Sequence, residues 1–147
     1  MAWAASSAAR DTKYQEGDTN TFQMAASEVI KKGDQVRIIA SGYAAAGTTA
    51  VFAGDQFVGI AMESKTNTST AGEKSILCCT KYGSVHSFKH AAASQSLVGT
   101  LAYGDVDNGP QYAAATGTSA VQIGSVVEYV SATEVRVQIK PGTAVAT

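Results

Sequence analysis

The sequence has little charge, and its charged residues are evenly balanced. Charged residues make up 16% of the 147 residues, against about 25% in an average domain. Eleven basic and twelve acidic residues give a formal net charge of −1. No basic stripe exists, which excludes the electrostatic footprint of nucleic-acid binding, and we expect no nucleic-acid partner. The surface must instead be covered largely by Ser, Thr, Gln, Asn and Ala, which suits packing against other proteins.

Cysteine and histidine are also scarce, with two of each. Cys78 and Cys79 are adjacent, and neighbouring residues of a strand point to opposite faces, so a disulfide between them would be strained. We interpret them as free thiols packed in a strand of a protein made in a reducing compartment. His86 and His90 lack a nearby third ligand, so we expect exposed polar side chains there, and neither a metal nor a cofactor.

The sequence also lacks the motifs of membrane proteins and of common enzymes. No apolar run approaches the roughly 20 residues that a membrane span requires, and the first ten residues make a poor signal peptide. Neither a phosphate-binding loop nor a nucleophile elbow occurs. Asp55, Glu63 and Glu73 are expected at turns or strand ends as solvated acids. We therefore predict no membrane partner, no catalytic residue and no enzymatic activity.

Glycine, by contrast, is well represented and recurs within apolar runs. Residues 57–61, 97–101 and 122–126 each place a glycine in a β-prone segment. Glycine within a strand usually marks a bulge, a bend or a close approach of backbones. Four Gly-Asp pairs stand at or near the starts of such runs, where they favour turns. The pattern predicts short, sharply turned strands.

Some nine short strands separated by turn signals predict an all-β fold. We expect a compact small β-barrel, β-tulip or sandwich in one domain over residues 17–147, with a marginal helical turn over residues 25–32. Residues 74–81 and 84–88 are predicted to form a hairpin around Tyr82-Gly83. The other predicted strands cover residues 19–24, 35–40, 56–62, 97–103, 111–115, 121–130 and 134–139.

Residues 1–16 differ from the rest and are interpreted as an extended N-terminal arm. They are rich in Ala and Ser, then polar, with no period of 2 or 3.6, which is typical of a segment ordered only against a partner. Interface anchors are enriched in Trp, Tyr and Arg, although a lone tryptophan could instead plug the chain's own core. The predicted partner-binding residues are Trp3, Arg10, Lys13, Tyr14 and Phe22.

A series of short segments follows a fixed order between about residues 14 and 140. They are YQEGD (14–18), KGDQV (32–36), AGDQFVGIA (53–61), AGEK (71–74), YG (82–83), YGD (103–105), NG (108–109), IGSV (123–126) and VRVQI (135–139). In order and spacing the set resembles the small capsid decoration, or head cement, proteins of tailed bacteriophages.

The resemblance implies a compact β-barrel or β-tulip that binds assembled capsids from outside. Such proteins commonly sit as trimers and brace neighbouring major capsid subunits against the pressure of internal DNA. The implied partners are the major capsid protein and further copies of this chain. The implied location is the virion's outer surface, after synthesis in the host cytoplasm. The extension over residues 1–16 departs from the family's usual start, and whether it contacts the capsid or a neighbouring copy stays open.

Three other functions remain open on the sequence. One is another virion β-protein, such as a head fibre or a tail-tube subunit. A second is a carbohydrate-binding β-sandwich, although aromatic residues that could form sugar platforms are scattered along the chain. The third is a hydrolase or metal enzyme, which the missing motifs disfavour.

Overall fold

The computed structural model describes residues 18–46, 55–115 and 121–142, and these residues confirm the all-β fold class. Strands account for every described element except one 3₁₀ helix, Gln95–Leu97. The strands are β1 (Thr19–Gln23), β2 (Val29–Ile30), β3 (Gln35–Ile38), β4 (Ala44–Ala45), β5 (Gln56–Ala61), β6 (Lys65–Thr66), β7 (Ser75–Cys79), β8 (Val85–His90), β9 (Leu101–Asp105), β10 (Gly109–Ala114), β11 (Gln122–Ser131) and β12 (Glu134–Ile139).

The first seven strands form a curled antiparallel sheet with a small ribbon beside it. The sheet order is β1-β7-β5-β3-β4, and β2 pairs with β6. A bridge between Met24 and Ala44 brings the end of β1 back to β4. Inside the curl, Met24, Ile30, Val36 and Ile76 are fully buried and form one apolar cluster. This half of the molecule is called the sheet half below.

The last five strands close into a barrel in the order β10-β8-β12-β11-β9. Its neighbouring strands are antiparallel except β8 and β10, which run parallel. Val135, Val137 and Ile139 of β12 are fully buried, whereas Arg136 between them is exposed. The alternation predicted for residues 134–139 is therefore confirmed, with one face of the strand in the barrel core.

The two halves share a core. Phe57 and Ile60 belong to β5 of the sheet half, yet they pack in the apolar cluster of the barrel with Phe88 and Ile123. The backbone N–H of Gly142, after the last barrel strand, donates to the carbonyl of Phe57 over 2.6 Å. Strand β5 therefore joins sheet and barrel through both its side chains and its backbone.

Two of the three glycine-centred segments place their glycine where backbones nearly touch. The pairing of β5 with β3 shifts register beside Gly59, and that of β11 with β9 shifts beside Gly124. A Cβ on Gly59 would overlap the carbonyl oxygen of Cys79, and one on Gly124 would overlap that of Gln138. Both glycines therefore mark a bulge and a close approach, as predicted.

The third segment, residues 97–101, is not a strand with a central glycine. Gly99 has φ of 90° and lies in a turn that follows the 3₁₀ helix, and β9 begins only at Leu101. The N–H of Gly99 donates to the carbonyl of Val126 over 2.8 Å. The strand predicted from residue 97 is thus wrong in its first four residues, because this stretch turns to meet β11.

The predicted hairpin around Tyr82-Gly83 is also wrong. A turn lies there, but β7 pairs with β1 and β5, whereas β8 pairs with β10 and β12. The Gly83 N–H donates to the carbonyl of Ile139 over 2.8 Å. The turn therefore carries the chain from the sheet half into the barrel.

Residues 25–32 form no helical turn. Ser27 has a positive φ of 57°, and Val29–Ile30 forms the short strand β2. The backbone N–H of Ser27 donates to the carbonyl of Thr68 over 2.7 Å. One local backbone bond, from the N–H of Glu28 to the carbonyl of Ala25 over 3.3 Å, closes a turn, and the long-range bonds to the segment before Gly72 direct the chain into β2 and not into a helix.

Candidate binding surface

Four of the five residues predicted to bind a partner lie outside the described residues. These are Trp3, Arg10, Lys13 and Tyr14, and the predicted boundary between arm and domain lies there too. The fifth, Phe22, is on β1 opposite Ile76 of β7. Its half-buried side chain packs against the apolar cluster of the sheet half. Phe22 therefore contacts the chain's own core, and its contact with a partner stays a prediction.

Three exposed apolar side chains lie in the barrel or in the turn that leads into it, and we call them the barrel patch: Val98, Leu101 and Val127. Their exposed fractions are 38%, 45% and 41%. The segment from Val98 to Leu101 runs beside β11, where Leu101 pairs with Ser125 and the N–H of Val126 donates to the carbonyl of Thr100. Neighbouring exposed apolar side chains typically mark a protein contact, whereas single ones do not.

A cleft of about 370 Å³ opens between the sheet half and the barrel. Val29, Lys31 and Asp34 line it from the sheet half. From the barrel, the β9–β10 turn, Lys89, Gln111 and Tyr112 line the other wall. The Lys89 Nζ lies 5.8 Å from the centroid of the Tyr112 ring, within the range of a cation–π contact. We call this feature the junction cleft.

Asp34 fixes the floor of the junction cleft. It is buried, with Oδ2 accepting from the backbone N–H of Lys31 at 2.9 Å and Oδ1 accepting from Nε2 of Gln111 at 3.0 Å. The sequence pattern did not reveal this cleft because its lysines come from distant segments. The one local feature of the sequence at this cleft is the Gly33-Asp34 pair, which predicts a turn. The structure has that turn, closed by a hydrogen bond from the backbone N–H of Asp34 to the carbonyl of Lys31.

Asp55, expected as a solvated acid, is instead nearly fully buried against Arg37. The expectation failed because the partner lies on another strand, and a buried guanidinium requires a buried carboxylate. Glu63 and Glu73 fit the expectation better. Glu73 is exposed, and Glu63 is partly exposed with its Oε1 3.0 Å from Nζ of Lys65. The pKa of Glu63 lies below its ordinary value. The hydrogen bond from Lys65 has the largest lowering effect, and the hydrogen bond from the backbone N–H of Leu77 has the next largest.

The two histidines lie on one strand, and both are less exposed than expected. His86 is half-buried and His90 is buried, on the same side of β8 as Phe88. The backbone N–H of Ala92 donates to Nδ1 of His90 over 3.0 Å. Among the described residues no group of three or more His, Cys, Asp or Glu side chains is placed to hold a metal ion.

Among the described residues, Ser84 and His86 form the arrangement most like a nucleophile and a base, and the Sγ of Cys79 lies 3.8 Å from the Ser84 hydroxyl oxygen. The Ser84 hydroxyl donates to the carbonyl of Lys81 over 2.8 Å, and its oxygen lies 2.9 Å from Nε2 of His86. Which of Ser84 and His86 donates to the other depends on the tautomer of the His86 ring. A base that activates a serine must accept the hydroxyl proton, and the Lys81 carbonyl competes with His86 for that proton.

Cys78 and Cys79 lie on β7, as predicted, with Cys78 buried and Cys79 half-buried. Both are free thiols. Within the described ranges no helix is long and apolar enough to cross a membrane.

Comparisons with protein-family models, with curated proteins and with solved structures gave no significant match to the chain.

Proposed function

We propose that this protein is a structural, non-catalytic virion protein. In this role it binds the outer surface of an assembled bacteriophage capsid and stabilises contacts between major capsid subunits. The ordered sequence segments that resemble decoration proteins support this role. Their β-rich segments build the sheet half and the closed barrel, an architecture of the kind the resemblance implies.

The barrel patch is the observation that carries the proposal. Val98, Leu101 and Val127 expose apolar surface on a chain in which only 16% of the residues are charged. Such a surface binds protein without strong electrostatic attraction. A contact made by three side chains contributes only modest affinity by itself. A repeating lattice strengthens it, because a copy bound at one point holds its other contacts at high effective concentration.

The N-terminal arm supplies the second part of the proposed binding surface. Trp3, Arg10, Lys13 and Tyr14 are the proposed anchors, and Phe22 continues the set on β1. The arm contacts either the capsid or a neighbouring copy of the chain, and in the second case it would hold a homotrimer together. Trp, Tyr and Arg are the residue types that most often dominate interface energies.

Co-sedimentation with purified, assembled shells tests the proposal. We expect the intact chain to pellet with shells, and a chain lacking residues 1–16 to stay in solution while keeping its thermal melting transition. Failure of the intact chain to sediment with shells would overturn the proposed function. Unchanged sedimentation of the shortened chain would remove the arm from it.

A pair of serine variants tests the barrel patch. Leu101→Ser should weaken sedimentation with shells, because it removes exposed apolar area at the contact. Val85→Ser is the matched control, since Val85 is 50% exposed on β8 and outside the patch. Equal binding by the two variants would show that the patch is not the contact.

A further inference from the structure

The charged residues that line the junction cleft carry a small excess of positive charge, whereas the chain as a whole has a net charge of −1. Two lysines line it, and the one acidic residue among its lining residues is Asp34. Both oxygens of the Asp34 carboxylate accept hydrogen bonds from within the cleft wall. In the described part of the chain, neither Lys31 nor Lys89 forms an ion pair, whereas Lys65, Arg37 and Arg136 each do. The cleft therefore presents two ammonium groups to an incoming anion.

Apolar walls limit what that anion can be. The ring of Tyr112, the partly exposed side chain of Val29 and Pro110 line the same cleft as the two lysines. Its volume of about 370 Å³ lies near the lower end of the 300–1,000 Å³ common for ligand pockets. A cleft of this size holds one or two side chains. A carboxylate carried on an aliphatic stem matches both its charge and its walls.

The cleft is held in shape by bonds that cross between the two halves. Asp34 accepts from Gln111, and Nε2 of Gln35 donates to the carbonyl of Tyr112 over 2.8 Å. These bonds join Asp34 and Gln35, at the start of β3, to Gln111 and Tyr112 of β10. A site already rigid before binding loses less conformational entropy when it is filled.

We infer that the junction cleft receives an aspartate or glutamate side chain, with an adjacent apolar residue, from the capsid shell surface. The inference rests on the proposed function and adds the chemistry of one contact to it. The carboxylate lies between the ammonium groups of Lys31 and Lys89, and the apolar neighbour lies against Tyr112 and Val29. Charge complementarity selects an acidic protein segment, because the two lysines are the charged groups of the cleft without an ion pair to any described residue.

Charge reversal tests the inference. The double variant Lys31→Glu/Lys89→Glu should bind shells at least about tenfold more weakly, since like charges then meet in the cleft. The control is Lys74→Glu/Lys81→Glu, which makes the same change in net charge at two exposed lysines outside the cleft. Thermal melts of all three proteins check that a loss of binding is not a loss of folding, since all four lysines are exposed but Lys89 also lies over the Tyr112 ring.

The outcomes separate the inference from the proposed function. If the intact chain does not sediment with shells, the proposed function fails and the inference fails with it. If the intact chain sediments and the Lys31/Lys89 variant sediments equally well, the inference alone fails. A loss of binding shared equally by the control variant would also overturn it, because net charge and not the cleft would then be responsible.

Zero-length cross-linking provides a second, direct measurement. Carbodiimide treatment of protein bound to shells should join Nζ of Lys31 or Lys89 to a shell carboxylate, and peptide mapping should find the linked pair. Inorganic phosphate added to the isolated protein tests the competing source of negative charge. Micromolar binding of phosphate at these lysines, with no cross-link from them to the shell, would make the cleft a small-anion site and contradict the inference.

Discussion

The Arg37 Nε donates a hydrogen bond to Oδ2 of Asp55 over 3.0 Å, and the two side chains are only 6% and 2% exposed. The Arg37 Nη1 donates to the carbonyl of Ala46, whose own N–H donates to Oε1 of Glu28 over 2.7 Å. These contacts connect β3 to residues 46 and 55 through the interior of the sheet half. A buried polar network of this kind holds the backbone in one arrangement, since each broken bond leaves a polar group without water.

Replacing Asp55 with alanine should lower the free energy of unfolding by about 3–5 kcal/mol, because it removes the carboxylate that pairs with the buried Arg37 guanidinium. Urea denaturation followed by circular dichroism measures the loss. Glu128→Ala is the control, since its partner Arg136 is 3.4 Å away and both side chains are about half exposed. An exposed pair contributes under about 1 kcal/mol. Similar losses in the two variants would contradict the prediction.

Gly124→Ala should destabilise the barrel by roughly 2–4 kcal/mol, since backbone strain of about 1–3 kcal/mol adds to the cost of overpacking. The new Cβ would overlap the carbonyl oxygen of Gln138 on β12. Gly99→Ala is the matched control, because Gly99 also has a positive φ but the space that its new methyl group would occupy is open. Chemical denaturation of both variants checks the difference. A larger loss for Gly99→Ala would show that close approach is not what fixes Gly124.

The stability of the folded protein should fall as the pH drops below about 6.5, partly through His86. Burial lowers the pKa of His86 from the ordinary value of 6.5. As the pH falls through 6.5 the unfolded chain takes up a proton before the folded chain does, so the free energy of unfolding decreases until the folded pKa is reached. Above 6.5 this contribution is fully present. His86→Gln should flatten the profile in that window, and an NMR titration midpoint at or above 6.5 would refute the explanation.

Alkylation should distinguish the two adjacent cysteines. Burial, with smaller effects from the charges of Cys79 and Glu63, raises the pKa of Cys78 to about 12. At pH 8 roughly one Cys78 thiol in ten thousand is then ionised, and the thiolate is the reactive form. Iodoacetamide should therefore label the half-buried Cys79 first in the folded protein, and both residues in urea. Mass spectrometry of the peptides reads the result, and equal labelling of Cys78 in the folded state would disprove it.

Local sequence patterns predict individual strands and the positions of glycines at bulges. The alternation of Val135, Val137 and Ile139 with polar residues identifies β12, because a strand in a barrel wall must bury every second side chain. The glycine-centred runs predict bulges, bends or close approaches, and Gly59 and Gly124 each lie at a bulge and a close approach. The all-β class follows from many such short segments taken together.

Pairing between distant segments was not predictable in the same way. Tyr82-Gly83 has the composition of a hairpin turn, but β8 finds its partners in β10 and β12. Asp55 looks like a turn acid until Arg37 is placed beside it. The junction cleft likewise exists only because β3 and β10 meet. In each case the deciding neighbour is far along the chain, and a single sequence does not state which segments pair.

The position of β5 also governs how the molecule responds to tension. A pull on the chain ahead of Thr19 enters β1, crosses the antiparallel ladder to β7 and then the ladder from β7 to β5. From β5 it reaches the barrel interior through Phe57 and Ile60. Tension applied there would thus spread over two rows of hydrogen bonds and a close-packed interior.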